Sequence, residues 1–333
     1  MAALFEKDQI GKREDLADYI SLVDAKDTPV TSMIPKGNKP GNTLLQWQVD
    51  NMPTAVSTGT LDGSDVTVGG SGGLGYDNLN AGRAKLTNYI QVFQRAIRVS
   101  PLSVDVSIVA GLRDELSGMV AKGIKTIKRD MELTICSDNA AVVDNGTVAY
   151  KTKALGVWIA NAAGTVAPID TNYLTPTASI NTTVTGSFAE TDAQGVLTSI
   201  YGQTGQMKTY DTVVGPTLKR AFSNLLYTAT ASGTDSYASI RTLQRDAFSS
   251  TITSSVDMFE GDFGSLRLHP TLFNQNAFRG YVLDMDLLEL RYTNLPQVTE
   301  LPDAGGGPAR LIKAVAGLIC KNPLGLGKFA ATS

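Results

Sequence analysis

The longest regular pattern in this chain runs from Ser103 to Ala140, and it constrains everything built around it. Apolar residues recur at Val104, Ile108, Leu112, Leu116, Met119, Val120, Ile124, Ile127, Met131 and Ile135, mostly in steps of three or four, which puts them on one face of a helix. Ser103, after Pro101, is the predicted N-cap. Asp105, Asp114 and Glu115 lie toward the N-terminal half and Lys122, Lys125, Lys128 and Arg129 toward the C-terminal half, an order that complements a helix dipole. Unbroken, such a helix would span roughly 55 Å at about 1.5 Å per residue. Gly111, Gly118 and Gly123 interrupt the pattern, which predicts a break near Gly111 and an unbroken part from Leu112. An ordinary buried helix has the same period, so the stretch fixes a structural axis and not a function.

A chain of 333 residues with 42% hydrophobic and 18% charged residues can bury a sizeable core and divides naturally into two or three compact units. Its net charge of -3 argues against a protein whose main affinity is for nucleic-acid phosphate. The 103–140 stretch is itself balanced, with five basic and six acidic residues, so nearby DNA would be contained rather than gripped. Cys136 and Cys320 are too few and too far apart for a disulfide framework, and the first 30 residues hold no apolar run of signal-peptide length, which suits a product made inside the cell. Asn145-Gly-Thr147 and Asn181-Thr-Thr183 are then chance glycosylation matches.

Residues 1–41 hold a short amphipathic piece, Glu14 to Leu22, followed by Pro29, Pro35 and Pro40. Three prolines so close preclude a continuous helix and predict an extended arm that must lie on this subunit or a neighbour. Thr43 to Asp50 alternates as a strand with Leu45, Trp47 and Val49 on one face, and Ala84 to Val99 is its predicted partner. The Gly-, Ser-, Thr-, Asp- and Asn-rich loop between them makes a projecting hairpin with Trp47, Tyr89 and Phe93 at its base and Gly69 to Gly75 at its tip. Ala141 to Ala189 predicts short strands and loops. Ala193 to Tyr201 predicts a helix stopped by Gly202 to Gly205, Thr209 to Val214 a buried strand, and Thr217 to Leu226 a further helix. Ser255 to Leu268 reads as two strands about Gly261-Asp262-Phe263-Gly264. Leu283 to Leu295 and Ala309 to Leu318 follow, the last returning to the first unit. The class is α+β, with a mixed domain around a central sheet.

No chemistry-bearing motif holds up. Gly70-Ser71-Gly72-Gly73-Leu74-Gly75 fits G-x-G-x-x-G but is followed by turn-rich Tyr76 to Asn80, with no carboxylate at the required distance, so a flexible tip explains it better. Asp262-Phe263-Gly264 spells the kinase triplet without a His-Arg-Asp loop, because the only histidine is His269. That lone His269 supports neither a metal centre nor a Ser-His-Asp triad. Asp284, Asp286 and Glu289 alternate with Leu283, Met285, Leu287, Leu288 and Leu290, as the solvated face of an ordered element does. No catalytic, cofactor or metal residue is predicted.

Taken in order, Arg13-Glu14-Asp15-Leu16, Asp27-Thr28-Pro29, Ser32-Met33-Ile34, Asn42-Thr43 and Trp47-Gln48 resemble the opening of the podovirus-type major capsid proteins of tailed bacteriophages. Arg95 to Ser100, the Glu115 to Glu132 helix, Val214-Gly215-Pro216, Asp262-Phe263-Gly264 and Asn322-Pro323 resemble the family's later signatures. The resemblance covers nearly the whole chain except the loops at 52–82 and 141–188. It implies the tailed-phage capsid fold: an N-terminal arm at 1–41, an extended loop at 42–100, a peripheral domain with the spine helix at 101–140 and 300–333, and an axial domain at 141–299. It also implies a non-enzymatic protein, with Trp47, Tyr89, Phe93 and Arg95 as assembly residues. Copies would form the hexamers and pentamers of an icosahedral head around double-stranded DNA, without sequence-specific binding, cofactor or membrane. The implied partners are a portal protein, a separate scaffolding protein and a decoration protein; the implied location is the virion, assembled in the bacterial cytoplasm. The short segment before the hairpin predicts that no pro-segment is cleaved, so that Met1 or Ala2 stays on the mature subunit. An encapsulin-like compartment with the same fold is the alternative.

Overall fold

The computed structural model describes residues 28–55, 57, 59, 61–63, 79–106, 114–183, 185–225, 227–228, 239–240, 255–303 and 305–330. The expectations for Glu14 to Leu22, for the tip Gly69 to Gly75 and for a break at Gly111 lie outside the described residues. In chain order come α1 (Pro29–Met33), β1 (Lys36–Gly37), β2 (Leu44–Val49), β3 (Ala84–Tyr89), β4 (Gln91–Arg98), α2 (Pro101–Val106) and α3 (Glu115–Ile135). Then follow α4 (Leu155–Trp158), β5 (Ile180–Asn181), α5 (Glu190–Thr204), β6 (Lys208–Val214), α6 (Pro216–Asn224), and the pair β7 (Tyr227–Thr228) and β8 (Ser239–Ile240). The chain closes with β9 (Met258–Gly261), β10 (Gly264–Pro270), β11 (Arg279–Leu283), β12 (Leu288–Leu301), β13 (Ala309–Cys320) and β14 (Gly327–Ala330).

Two sheets organise these elements. One has the order β1-β12-β13-β4 and the other β5-β14-β11-β6-β10-β9. In the first, β1 runs parallel to β12 and the remaining pairs are antiparallel. The long helix α3 lies across this sheet and buries Ile127, Met131 and Ile135, each worth about 1.5–3 kcal/mol relative to exposure. Gly123 allows the close approach, since a Cβ there would overlap the Ile312 Cδ1 methyl of β13. On the second sheet, Ala193, Val196, Leu197 and Ile200 of α5 and Leu218 and Phe222 of α6 pack with Leu266, Val282 and Phe329. Gly205, with φ of 65°, ends α5 in the left-handed conformation that glycine adopts freely.

Several expectations are corrected. Ser103 is not an N-cap, because α2 already begins at Pro101 with Ser103 inside it, and the long helix α3 begins at Glu115 and not at Leu112, capped by Asp114, whose carboxylate accepts from Leu116 N at 3.1 Å. At about 1.5 Å per residue, α3 spans roughly 31 Å. Its last turn holds no basic residue; the lysines lie mid-helix, and the hydroxyls of Thr134 and Ser137 donate to Asp130 O and Thr134 O instead. The proline-rich segment contains a helical turn, because Pro29 at N1 of α1 gives up an N–H that would have no intrahelical partner. Among the described residues of 141–189 there are turns, the short helix α4, 3-10 turns at Thr171–Tyr173, Thr177–Ser179 and Thr185–Ser187, one bridge between Val142 and Lys151, and β5 as the only strand.

The predicted partner strand Ala84 to Val99 is two strands. β3 pairs with β2 in the hairpin, Leu44 opposite Tyr89 and Val49 opposite Ala84. At Ile90 the chain changes partner, and β4 pairs with β13. The corner is tight: a Cβ on Gly317 would lie 2.7 Å from Leu45 Cδ1 and 3.3 Å from Ile90 Cα. Sheet membership also changes close to both ends of β12 and β13. The four-stranded sheet takes the chain from Leu288 to Cys320, and β14 goes back to the six-stranded sheet beside β11.

Candidate assembly surface

The four sequence-predicted assembly residues fall into two separate groups. Trp47 of β2 packs on Trp158 of α4, ring centroids 5.5 Å apart, and Tyr89 of β3 stacks on Tyr150 at 5.7 Å. These contacts seat the hairpin on the 150–158 segment. Phe93 is buried under α3 in the main core, and Arg95 makes two 2.9 Å hydrogen bonds to the Asp130 carboxylate. Phe93 therefore does not belong to the hairpin base, because β4 has left the hairpin for the four-stranded sheet. All four residues are committed to contacts within their own chain.

The two groups differ in energetic weight. Arg95 and Asp130 are both substantially solvent-exposed, so solvent screening holds the pair to about 1 kcal/mol or less. Removing the Phe93 ring from the core costs about 3–5 kcal/mol. Arg95→Ala is thus expected to shift thermal unfolding slightly and Phe93→Ala by several times as much; equal shifts in a melting scan would contradict this ranking.

Three residues missed at the sequence level join the parts more firmly. Asn88, fully buried on β3, donates through Nδ2 to Leu318 O at 2.6 Å and Thr152 Oγ1 at 3.1 Å. Its Oδ1 accepts from Lys153 N at 2.7 Å and Tyr89 N at 2.8 Å. One amide thereby ties the hairpin, the 152–153 segment and β13. Glu132 of α3 is fully buried and accepts from Val30 N at 2.9 Å and Thr31 N at 2.8 Å, so α3 supplies the N-terminal cap that α1 lacks in its own sequence. Burial raises the Glu132 pKa above the usual carboxylate value, outweighing those two hydrogen bonds. Lys153, also buried, donates to Ala167 O at 2.5 Å and stands 4.0 Å from the Trp158 ring centroid; burial pushes its pKa down to about 8.

The candidate chemical motifs are structural. Asp262 and Phe263 form the β9–β10 turn, and Phe263 stacks on Tyr201 at 4.9 Å. Lys208 Nζ lies 2.9 Å from Asp284 and 3.4 Å from Asp286, and no group of metal-ligating side chains occurs among the described residues. His269 Nε2 is 2.9 Å from Asp211 Oδ1 on the neighbouring strand. Glutamine can keep that hydrogen bond, so His269→Gln is expected to leave particle yield and melting temperature unchanged; loss of particles in this variant would give the histidine a role it lacks here. Among the described residues no helix is long and apolar enough to cross a membrane.

The hairpin connection presents apolar side chains outward: Met52 is 92% and Leu61 83% exposed.

Comparison with known proteins is consistent with that geometry. Residues 4–333 match the family model described as SU10 major capsid protein. A major capsid protein of Escherichia phage Phieco32 is 31% identical over 137 residues, covering 40% of this chain and 35% of that protein; the match thus takes in about a third of the relative's length. The capsid asymmetric unit of cyanophage A-1(L) has the same fold, with a TM-score of 0.64 at 12% identity over 96% of both chains. The capsid of Myoviridae phage XM1 gives a TM-score of 0.58 at 10% identity, covering 96% of this chain and 97% of that one.

Proposed function

Because this chain belongs to the SU10 major capsid protein family, whose members are structural components of the virion and not enzymes, we propose that its copies assemble as hexamers and pentamers into the icosahedral head enclosing phage double-stranded DNA. What supports this reading beyond the family is the fold shared with the cyanophage A-1(L) capsid asymmetric unit over 96% of both chains; Met52, 92% exposed on the connection between β2 and β3, is apolar surface that another copy would cover. Many modest contacts of this kind, repeated between copies, replace one large interface.

In this reading residues 1–41 are the arm and 42–100 the extended loop, rooted by β4. Residues 101–140 with 300–333 form the peripheral unit around α3, and 141–299 the axial unit. Two strands cross these lines: β12 begins within 141–299 yet pairs with β13, and β14 lies within 300–333 yet pairs with β11. A portal protein, a separate scaffolding protein and a decoration protein are the proposed partners, with the shell holding DNA through no sequence-specific contact.

Electron microscopy of purified assemblies, with a nuclease-protection assay, tests the proposal. Icosahedral shells holding protected DNA are the expected result. Shells holding protein cargo and no DNA would establish the encapsulin-like alternative, and no shells at all would overturn both. Deleting residues 1–25 should leave soluble subunits or aberrant particles, since the arm would no longer reach a neighbour; normal shells from the shortened chain would contradict that role.

A further inference from the structure

Asn145-Gly146 is the only Asn-Gly pair in the chain. It closes a small antiparallel turn in which Val142 N and Lys151 N each donate to the other residue's carbonyl at 3.1 Å and Asn145 N donates to Val148 O at 3.3 Å. The Asn145 side chain is folded over the chain that follows it, its Oδ1 accepting from Thr147 N at 3.1 Å and from Val148 N at 2.8 Å. The N–H of Gly146, which lies between, donates the other way, to Asp144 Oδ1 at 2.7 Å. Gly146 has φ of 83° and a Cβ there would meet nothing within 4 Å, so the backbone and not crowding calls for glycine, and no side chain screens its nitrogen. Residues 143–149 are exposed throughout, so water reaches the turn.

We propose that Asn145 is a site of spontaneous covalent modification, at which the folded turn converts the asparagine to isoaspartate and aspartate. Imide formation needs a base for the nucleophilic N–H and hydrogen-bond donors on the oxygen that becomes negative, and both are in place. The Gly146 N–H proton passes to the Asp144 carboxylate as the nitrogen bonds to Asn145 Cγ, and the oxyanion on Oδ1 is held by the Thr147 and Val148 amides. The Cγ–Nδ2 bond then breaks, and Nδ2 leaves as ammonia with that proton, closing a cyclic imide. Water opens the ring at either carbonyl. Attack at the main-chain carbonyl gives isoaspartate and attack at Cγ gives aspartate, each with one new negative charge. Isoaspartate routes the main chain through Cβ and Cγ, so the backbone gains a carbon and Thr147 N and Val148 N lose their acceptor. The turn is tied to the hairpin seat by Tyr150, stacked on Tyr89, and by Thr152 and Lys153, bonded to Asn88. Asn181 is an internal contrast: its Oδ1 accepts from Thr183 N at 3.1 Å, but the nucleophile there would be the nitrogen of Thr182, which a β-branched side chain screens.

The test is timed incubation of the purified chain, folded and unfolded in guanidinium chloride at the same neutral pH, followed by peptide mapping of residue 145. Isoaspartate and aspartate should accumulate several-fold faster in the folded protein, while Asn181 stays intact. Asp144→Asn keeps an acceptor for the Gly146 N–H but supplies no base, so it should slow conversion roughly tenfold in the folded chain and leave the unfolded chain's rate unchanged. Slower conversion in the folded parent than in the unfolded one would mean that the turn protects its asparagine, and would overturn the proposal. Equal rates in the folded parent and folded Asp144→Asn would overturn the part given to the carboxylate. Faster amide exchange at Val142 and Lys151 is expected in the isoaspartyl product, and unchanged exchange there would overturn the link from the turn to the hairpin seat.

Discussion

Asn88→Leu is expected to be the most damaging conservative-volume change in the chain. Leucine fills the same space but leaves Lys153 N, Tyr89 N and Leu318 O without the partners that the amide provides. Each buried polar group so orphaned costs about 1–3 kcal/mol, so the three together cost about 3–9 kcal/mol, a large part of the stability of most domains. Asn88→Asp should fail for a different reason. It keeps an acceptor for the two N–H groups but aims a second oxygen at the carbonyls of Lys153 and Leu318. Soluble yield and thermal scans at one fixed rate read the effect. Either variant melting within about 2 °C of the parent, where several kcal/mol should move the midpoint by roughly 10 °C, would show that the hub is dispensable.

Glu132→Ala should release the arm from the spine. It strips the capping carboxylate from Val30 N and Thr31 N and opens a cavity under Val30 and Ile34, for an expected loss of about 2–4 kcal/mol. Proteolysis near Thr28 to Pro35 should then become fast while the six-stranded sheet stays protected, and an unchanged cleavage rate would remove Glu132 from this role. Glu132→Gln keeps an accepting oxygen and should be milder. The pH dependence has a definite sign. The folded-state pKa of Glu132 is raised, so its contribution to stability is fully present below the unfolded-state value, about 4.3, and is lost as pH rises through the folded value. Acidification through that window should therefore widen the stability advantage of the parent over Glu132→Gln. A latch that simply opened in acid would show the opposite trend.

Much of the fold was legible in the chain because it rests on local rules. The 3.6-residue period placed α3, Gly205 stopped α5, and the Gly261 to Gly264 turn joined β9 and β10. The division of Ala84 to Val99 was also written in the sequence, as a change of parity: Leu86, Asn88 and Ile90 are inward on even numbers, whereas Phe93 is inward on an odd one. Asn88 could have been found in the same way, as an amide on an otherwise apolar even face. Glu132 lies within one helical step of Ile135 on the apolar stripe of α3, a position where a carboxylate needs a buried partner. Lys153 gave no such sign, because the Lys151 to Leu155 run has no periodicity, and its environment is assembled from Trp158 and Ala167. Strand pairing was the least legible part. β4 finds β13 across some two hundred residues, and no local pattern names a partner at that distance.

After the long connection from β4 to β5, the chain crosses between its two sheets twice more, at Asp284–Leu287 and at Lys321–Leu326, and these last two crossings lie side by side: Lys321 N donates to Leu287 O at 2.8 Å and Lys321 Nζ to Asp286 O at 3.0 Å. Beneath these crossings the buried core is continuous: Val213, Tyr281 and Leu283 of the six-stranded sheet belong to one cluster with Leu290, Ile312 and Leu318 of the four-stranded sheet. Close-packed interiors transmit strain instead of yielding to it, so a load applied to either sheet is carried by the whole subunit, and bending one sheet against the other would require core contacts to break.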